Sequence, residues 1–359
     1  MKRSLKAVVP AALVLSLALA GCGDSGSSTD GAATGLSGTI KGAGASSKDA
    51  AEQAWIAKFG ADNPNATISY SPDGSGAGRE KLISGAVDYA GSDSAMDAEE
   101  FAAAKKTCTG DIIQFPVYVS PIGIGYNVEG VDNLQLSPAT TADIFSHKIK
   151  KWNDPAIAKD NPDATLPDQN ITTVNRSDES GTSKNFGAYL AEAAPKNWKH
   201  EPDDVWPIKG GEAAKGTAGV VNAIKNGKGT IGYADASQLG ELKAAKVKVG
   251  NEYVEYSPEA AAKILEHSKR EDAASKTNFA VKLDRSVKEA GVYPVVLLSY
   301  ALTCSAPTDA EKGKLTKAYL EYVSSEAGQQ VAAEQAGAAP LSETARGWAT
   351  DALSQLKTD

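Results

Sequence analysis

IIQFPVYVSPIGIGY, residues 112–126, is apolar almost throughout and rich in β-branched side chains, with prolines at 116 and 121. Such a run reads as a buried strand, because proline removes a helix donor and branched side chains suit an extended backbone. It is expected to cross between two domains. Upstream, SGTIKGAGASS reads as a short strand that ends in a Gly-rich turn. Ala51, Trp55 and Phe59 follow at four-residue spacing, a helical stripe. TISYSP alternates like a strand, DGSGAG is a turn, REKLISGAV is a helix and DYAGSD a short strand with its exit. Strands alternating with helices predict an α/β domain with helices covering a sheet.

Downstream, Ser137-Pro138 opens a helix expected to run to residue 149, with serine as cap and proline in the first turn. Residues 171–174 are expected as a strand, 217–225 as a helix, GKGTIGYAD as a turn and strand, and 247–256 as one strand. YPVVLLSYALTC, from Tyr293, reads as a second buried strand. Helices over 310–322, 325–335 and 342–356 close the chain.

The N-terminal segment stands apart. Lys2, Arg3 and Lys6 precede an almost wholly apolar run at 8–20, shorter than the roughly 20 residues of a membrane span. This is the pattern of an export signal, assigned here to 1–21. Leu19-Ala20-Gly21-Cys22 resembles the lipobox of bacterial lipoproteins, which implies a lipid on the Cys22 thiol. Residues 22–35 then read as a flexible tether. The 37 Lys+Arg against 45 Asp+Glu give a formal charge of −8, and the leader holds three of the cations. An acidic surface argues against nucleic acid as a partner, which needs a basic track. It does not argue against a small anion, which local donors can hold.

Cys108 and Cys304 remain in the folded part, and an exported chain permits a disulfide between them. They could equally be two separate buried thiols. A bridge would place the late strand beside the early domain. The first lobe would then be 36–118 with 293–359, enclosing a second lobe at 119–292. Two strands would cross between them and form a hinge.

TVNRSDESGTSKNF, residues 173–186, sets a cation, hydroxyls and a glycine at a helix start. Ala45-Ser46-Ser47 and Gly74-Ser75-Gly76 repeat the device. Free N–H groups at helix starts favour an oxyanion, although each turn alone is equally an ordinary cap. Arg176 can grip two oxygens of a tetrahedral anion, and Asp178 can hold the arginine in place. Asp93 is the informative residue. A carboxylate repels a fully ionised anion but accepts the hydrogen of a protonated one. Phosphate carries such a proton near neutral pH and sulfate does not, so an acid here would discriminate between them. The alternative is a cap or turn aspartate.

Metal and catalytic motifs are missing from the pattern. His147, His200 and His267 lack ligand spacing, and HExxH, GxSxG and the nucleotide P-loop do not occur.

From Leu36 onward the chain resembles the PstS-type phosphate-binding receptors of bacterial phosphate ABC transporters. The residues that carry this are GAGASS, GSGAGREKLISGAVDYAGSD, SPATTADIFSHKIKKWNDP, NRSDESGTSKNF and KGGEAAKGTAGVVNAIKNGKGTIGYAD. The resemblance implies an α/β fold of the type II periplasmic-binding-protein class, with two lobes, a two-strand hinge and a ligand cleft. It implies Ser46, Ser47 and Ser75 as donors, Asp93 as acceptor of the phosphate proton, and Arg176 with Asp178 as the charged clamp. Ser180, Gly181 and Thr182 complete the second lip. Where the family often has an aromatic residue followed by proline, this chain has Ser47-Lys48, so the expected role of Ser47 rests on its backbone N–H. The implied protein is a monomeric binding protein, not an enzyme, without cofactor or metal. It would bind inorganic phosphate at the outer face of the cell membrane, held by its lipid, and deliver it to transmembrane permease subunits. The rival within this class is a receptor for sulfate or molybdate.

Overall fold

The computed structural model describes residues 35–358. The expected leader and Cys22 lie outside them, as does all of the tether except Gly35.

The expected crossing strand is real and longer than read. It is the fourth strand of a nine-stranded sheet, whose members are β1 (Gly38–Gly44), β2 (Ala66–Ser71), β3 (Tyr89–Ser92), β4 (Ile112–Asn127), β5 (Thr172–Arg176), β6 (Glu212–Ala214), β7 (Thr230–Asp235), β8 (Lys243–Ala244) and β9 (Val296–Cys304). The strand order is β2-β1-β3-β9-β4-β7-β5-β6, with β8 also on β4. All of β4 is buried except its last residue, which explains a run that is apolar but for Gln114 and Ser120. It changes partner midway. Ile112 to Pro121 pair antiparallel with β9, and Ile122 to Asn127 pair antiparallel with β7. One strand therefore serves two sides of the sheet, a β1–β3 side and a β5–β7 side. Within each side the neighbouring strands β1/β2, β1/β3, β5/β6 and β5/β7 run parallel.

Helices α1 (Asp49–Asp62), α2 (Ser75–Ile83), α3 (Gly181–Ala193), α4 (Gly216–Asn226), α5 (Ala310–Ser324), α6 (Glu326–Ala336) and α7 (Glu343–Ser354) accompany the sheet. The stripe read in α1 is buried as Ala51, Trp55 and Phe59, and Trp55 Nε1 donates to the Gly328 carbonyl of α6 at 2.7 Å. Phe59 packs edge-on against Tyr319 of α5, 5.4 Å between ring centres. Cys108 and Cys304 form a disulfide, with Cα atoms 5.4 Å apart. Cys304 pairs with Ile112, so the bridge fastens the start of β4 to the end of β9. Closing a loop of that length stabilises by about 5 kcal/mol in the chain-entropy view.

Four local expectations need correction. The helix opened by Ser137 ends at Phe145, not at residue 149, because His147 takes a left-handed φ of 59°. Residues 247–256 are not one strand but two antiparallel ones, Lys246–Val249 and Glu252–Val254, with Gly250 at φ 58° in the turn. Arg176 is the last residue of β5 rather than just past it. Helix α2 begins inside the expected turn, at Ser75. Gly78 makes that possible, because a Cβ there would lie 2.4 Å from the Gly44 Cα at the end of β1.

Candidate functional site

The loops after β1, β3 and β5 and the starts of α2, α3 and α4 meet in one place. Ser47 Oγ donates to both oxygens of Asp93, 2.8 Å each. Thr182 Oγ1, in the first turn of α3, donates to Asp93 Oδ2 at 3.1 Å. The Asp93 N–H donates to Ser75 Oγ at 3.1 Å. Ser180 caps α3, its Oγ accepting from the Ser183 N–H at 3.3 Å. Gly181 is required by this approach: a Cβ on it would lie 2.7 Å from the Asp93 Cβ and from the Ser94 nitrogen.

Arg176 reaches the same place from β5. Its Nε donates to Asp178 Oδ1 at 2.8 Å, and its Nη2 donates to Asp178 Oδ2. That fork fixes the guanidinium and leaves Nη1 outside the pair. Asp178 also accepts from the Gly216 N–H at the start of α4, 3.1 Å away. Ser46 Oγ accepts from the Thr217 N–H at 3.0 Å, so the two sides of the sheet are directly bonded. The structure thus brings together every expected site residue: Ser46, Ser47, Ser75, Asp93, Arg176, Asp178, Ser180, Gly181 and Thr182. All are buried except Asp178, which is partly so.

The electrostatics follow from that burial. Desolvation raises the Asp93 carboxyl above its ordinary value, although hydrogen bonds from Ser47 and Thr182 and the Arg176 charge pull it part of the way back. Burial would also raise Asp178, but the Arg176 guanidinium holds it below the usual carboxylate range. A cation, several hydroxyls and helix-start N–H groups around one acid can hold an oxyanion that still carries a proton. An open groove of about 500 Å³ runs past Asp93 and Asn185 to Arg285, but it is lined by none of the other expected residues. Convergent donors, not this groove, mark the site.

Sequence reading missed several participants. Thr217 and Gly216 lie in a Gly-Thr helix start like the others, and that signal could have found them. Gln238 donates to the Ser46 and Ser47 carbonyls at 2.6 and 3.0 Å, and nothing in its local sequence announces it. Asn185 Nδ2 donates to the Asp93 carbonyl at 2.7 Å, and Arg285 Nη2 donates in turn to Asn185 Oδ1. Among the described residues no group of three or more His, Cys, Asp or Glu could hold a metal, and no helix is long and apolar enough to cross a membrane.

Comparison with known proteins gives the family. The PBP superfamily domain covers residues 29–327. The phosphate-binding protein PstS 3 of Mycobacterium leprae is 32% identical over 84% of this chain and 86% of its own. PstS 3 of Mycobacterium tuberculosis is also 32% identical, over 85% and 86%. A phosphate-binding protein from Stenotrophomonas maltophilia has the same fold, with a TM-score of 0.68 over 87% of this chain and 92% of that one, at 21% identity. The chain belongs to the PBP superfamily and, within it, to the PstS-type phosphate-binding proteins. Its fold is the mixed α/β fold of periplasmic binding proteins.

Proposed function

We propose that this protein binds inorganic phosphate, as hydrogen phosphate or dihydrogen phosphate, outside the membrane and delivers it to an ABC permease. The observation that carries the reading is Asp93, a buried carboxylate among anion-favouring donors, bonded by Ser47 and Thr182 and close to Arg176. Such an acid suits an anion that brings its own hydrogen. Serine hydroxyls, the N–H groups at the starts of α2 and α3, and Arg176 replace the hydration shell. Asp93 takes the remaining proton. A sulfate ion has none to offer, and leaving the carboxylate against it would cost several kcal/mol, on the order of two decades of affinity.

In this reading 36–118 with 293–359 form one lobe and 119–292 the other, and phosphate favours their closed arrangement because it touches both. The curated relatives that the chain matches are phosphate-binding proteins, which supports binding rather than catalysis. A lipid on Cys22 would hold the protein, as a monomer, at the outer face of the cell membrane within reach of permease subunits.

Titration calorimetry of anion-depleted protein against phosphate, arsenate, sulfate and molybdate tests this. Tight phosphate binding with sulfate and molybdate at least 100-fold weaker is expected. Tighter binding of either rival would overturn the assignment. In competition titrations Asp93→Asn should keep the fold and lose most of the preference for phosphate over sulfate. Unchanged selectivity would remove the proton-reading role.

A further inference from the structure

Arg79 lies on α2, four residues from the site's Ser75, and its guanidinium is buried and bonded at all three nitrogens. Nε donates to Glu100 Oε1 at 2.6 Å. Nη1 donates to the hydroxyls of Ser92 and Ser94, at 2.9 and 3.3 Å. Nη2 donates to Asp204 Oδ2 at 2.7 Å. Glu100, Ser92 and Ser94 belong to the β1–β3 side, as Arg79 does. Asp204 does not: it lies in the irregular segment after α3, on the β5–β7 side. Asp204 Oδ1 also accepts from Ser94 Oγ at 2.6 Å, and its carbonyl accepts from the Ser180 N–H at 2.9 Å. Ser180 is the cap of α3 and belongs to the site.

The segment that carries Asp204 is anchored. Trp206 packs on Tyr233 at 5.1 Å and on Trp198 at 5.3 Å between ring centres. Phe186 of α3 stacks on Tyr233 at 4.5 Å. Asp204 is therefore presented on an aromatic platform shared with the helix that forms the second lip.

We propose that Arg79 and Asp204 are a positioning pair, an ion pair across the cleft that seats the Ser180–Thr182 lip and slows ligand release. Neither touches the anion. Bringing the two sides together makes a short, water-excluded contact between opposite charges, which favours the joined arrangement. Through the Asp204 carbonyl the contact also fixes the Ser180 N–H, and with it the start of α3. Being buried, the pair is weakly screened by salt. The part concerning release rests on the phosphate reading above; the contact itself does not.

Two measurements test the pair and separate its failure from that of the phosphate reading. The first needs no ligand. Hydrogen exchange at the Ser180 amide should quicken at least tenfold in Arg79→Met and in Asp204→Asn, while exchange in α5 stays as in wild type. Unchanged exchange at Ser180 in both variants would overturn the proposal, whether or not the protein binds phosphate. The second is stopped-flow release of phosphate. Each variant should raise the dissociation rate about tenfold or more with a smaller change in association. The double variant should release no faster than the worse single one, and Arg79→Lys should recover part of the loss. Release rates within twofold of wild type, or effects of the two changes that multiply as if independent, would also overturn it. A wild-type protein that fails to bind phosphate would sink the assigned ligand instead, and the exchange result would still decide the pair.

Discussion

Asp93 and Asp235 are both buried at the ends of strands, one after β3 and one closing β7, and the Asp93 charge reaches Asp235. Their settings differ. Asp93 has hydroxyl donors on both oxygens and an arginine nearby. Asp235 has its bonds on one oxygen only: Oδ1 accepts from Tyr118 OH at 3.1 Å and from the N–H and hydroxyl of Ser237 at 2.9 and 2.5 Å. Its Oδ2 is buried without a partner. Burial, with a smaller contribution from Asp93, pushes the Asp235 carboxyl up to about 7 despite those bonds. The contrast teaches that burial raises both carboxyls, and that bonds confined to one oxygen do not cancel the rise. Donors on both oxygens and a nearby cation work against it and keep Asp93 placed as an acceptor.

The strongest way to break the contrast is to remove the cation. Arg176→Met should leave Asp93 closer to the state of Asp235 and strip the anion of its charged partner. Phosphate affinity is expected to fall at least 100-fold by calorimetry, about 3 kcal/mol, and a loss below tenfold would count against the clamp.

A smaller effect sharpens the other half. The folded-state pKa of Asp235 lies above its ordinary value of 3.8. Between that value and about 7 the folded protein holds a proton that the unfolded chain has lost. The contribution of Asp235 to stability therefore falls as pH rises through this window and stays low above it. Asp235→Asn should melt higher than wild type at pH 8 and lose that advantage by pH 4. A difference in melting temperature that does not change with pH would show that folding leaves the Asp235 pKa where it is in the unfolded chain. Smallest is Ser47→Ala. It removes one hydroxyl from Asp93, and phosphate affinity should fall about tenfold or less, near 1 kcal/mol. A larger loss would give the Ser47 side chain a direct contact with the ligand.

What was legible in the sequence was local. The run at 112–126 declared itself because a strand buried on both faces must be apolar throughout. The helix-start turns at Ser46, Ser75 and Ser180, with Arg176 and Asp178 beside the last, were readable because small and hydroxyl residues before a helical run lie within a few positions, although of the three only Ser180 caps its helix. The hairpin at 246–254 was misread because its alternation continues through Gly250-Asn251, although that pair is itself a turn signal. Nothing near His147 warned that its helix had already ended. Contacts such as Arg79 with Asp204, or Gln238 with the Ser46 carbonyl, join residues far apart in the chain and leave no spacing to read. They exist only because the sheet brings its two sides together.

The change of partner within β4 has a mechanical consequence. The disulfide pins one end of the β4–β9 ribbon, and the ladder with β7 grips the other end. Between these clamped ends lies Pro121-Ile122, where one ladder stops and the next begins, and proline has no N–H to share. Opposite Pro121 stands Val296, at the very start of β9. Any parting of the two sides must concentrate its torsion in these few peptide units. The protein would then swing about a short pivot while the ribbon on the disulfide side keeps its register.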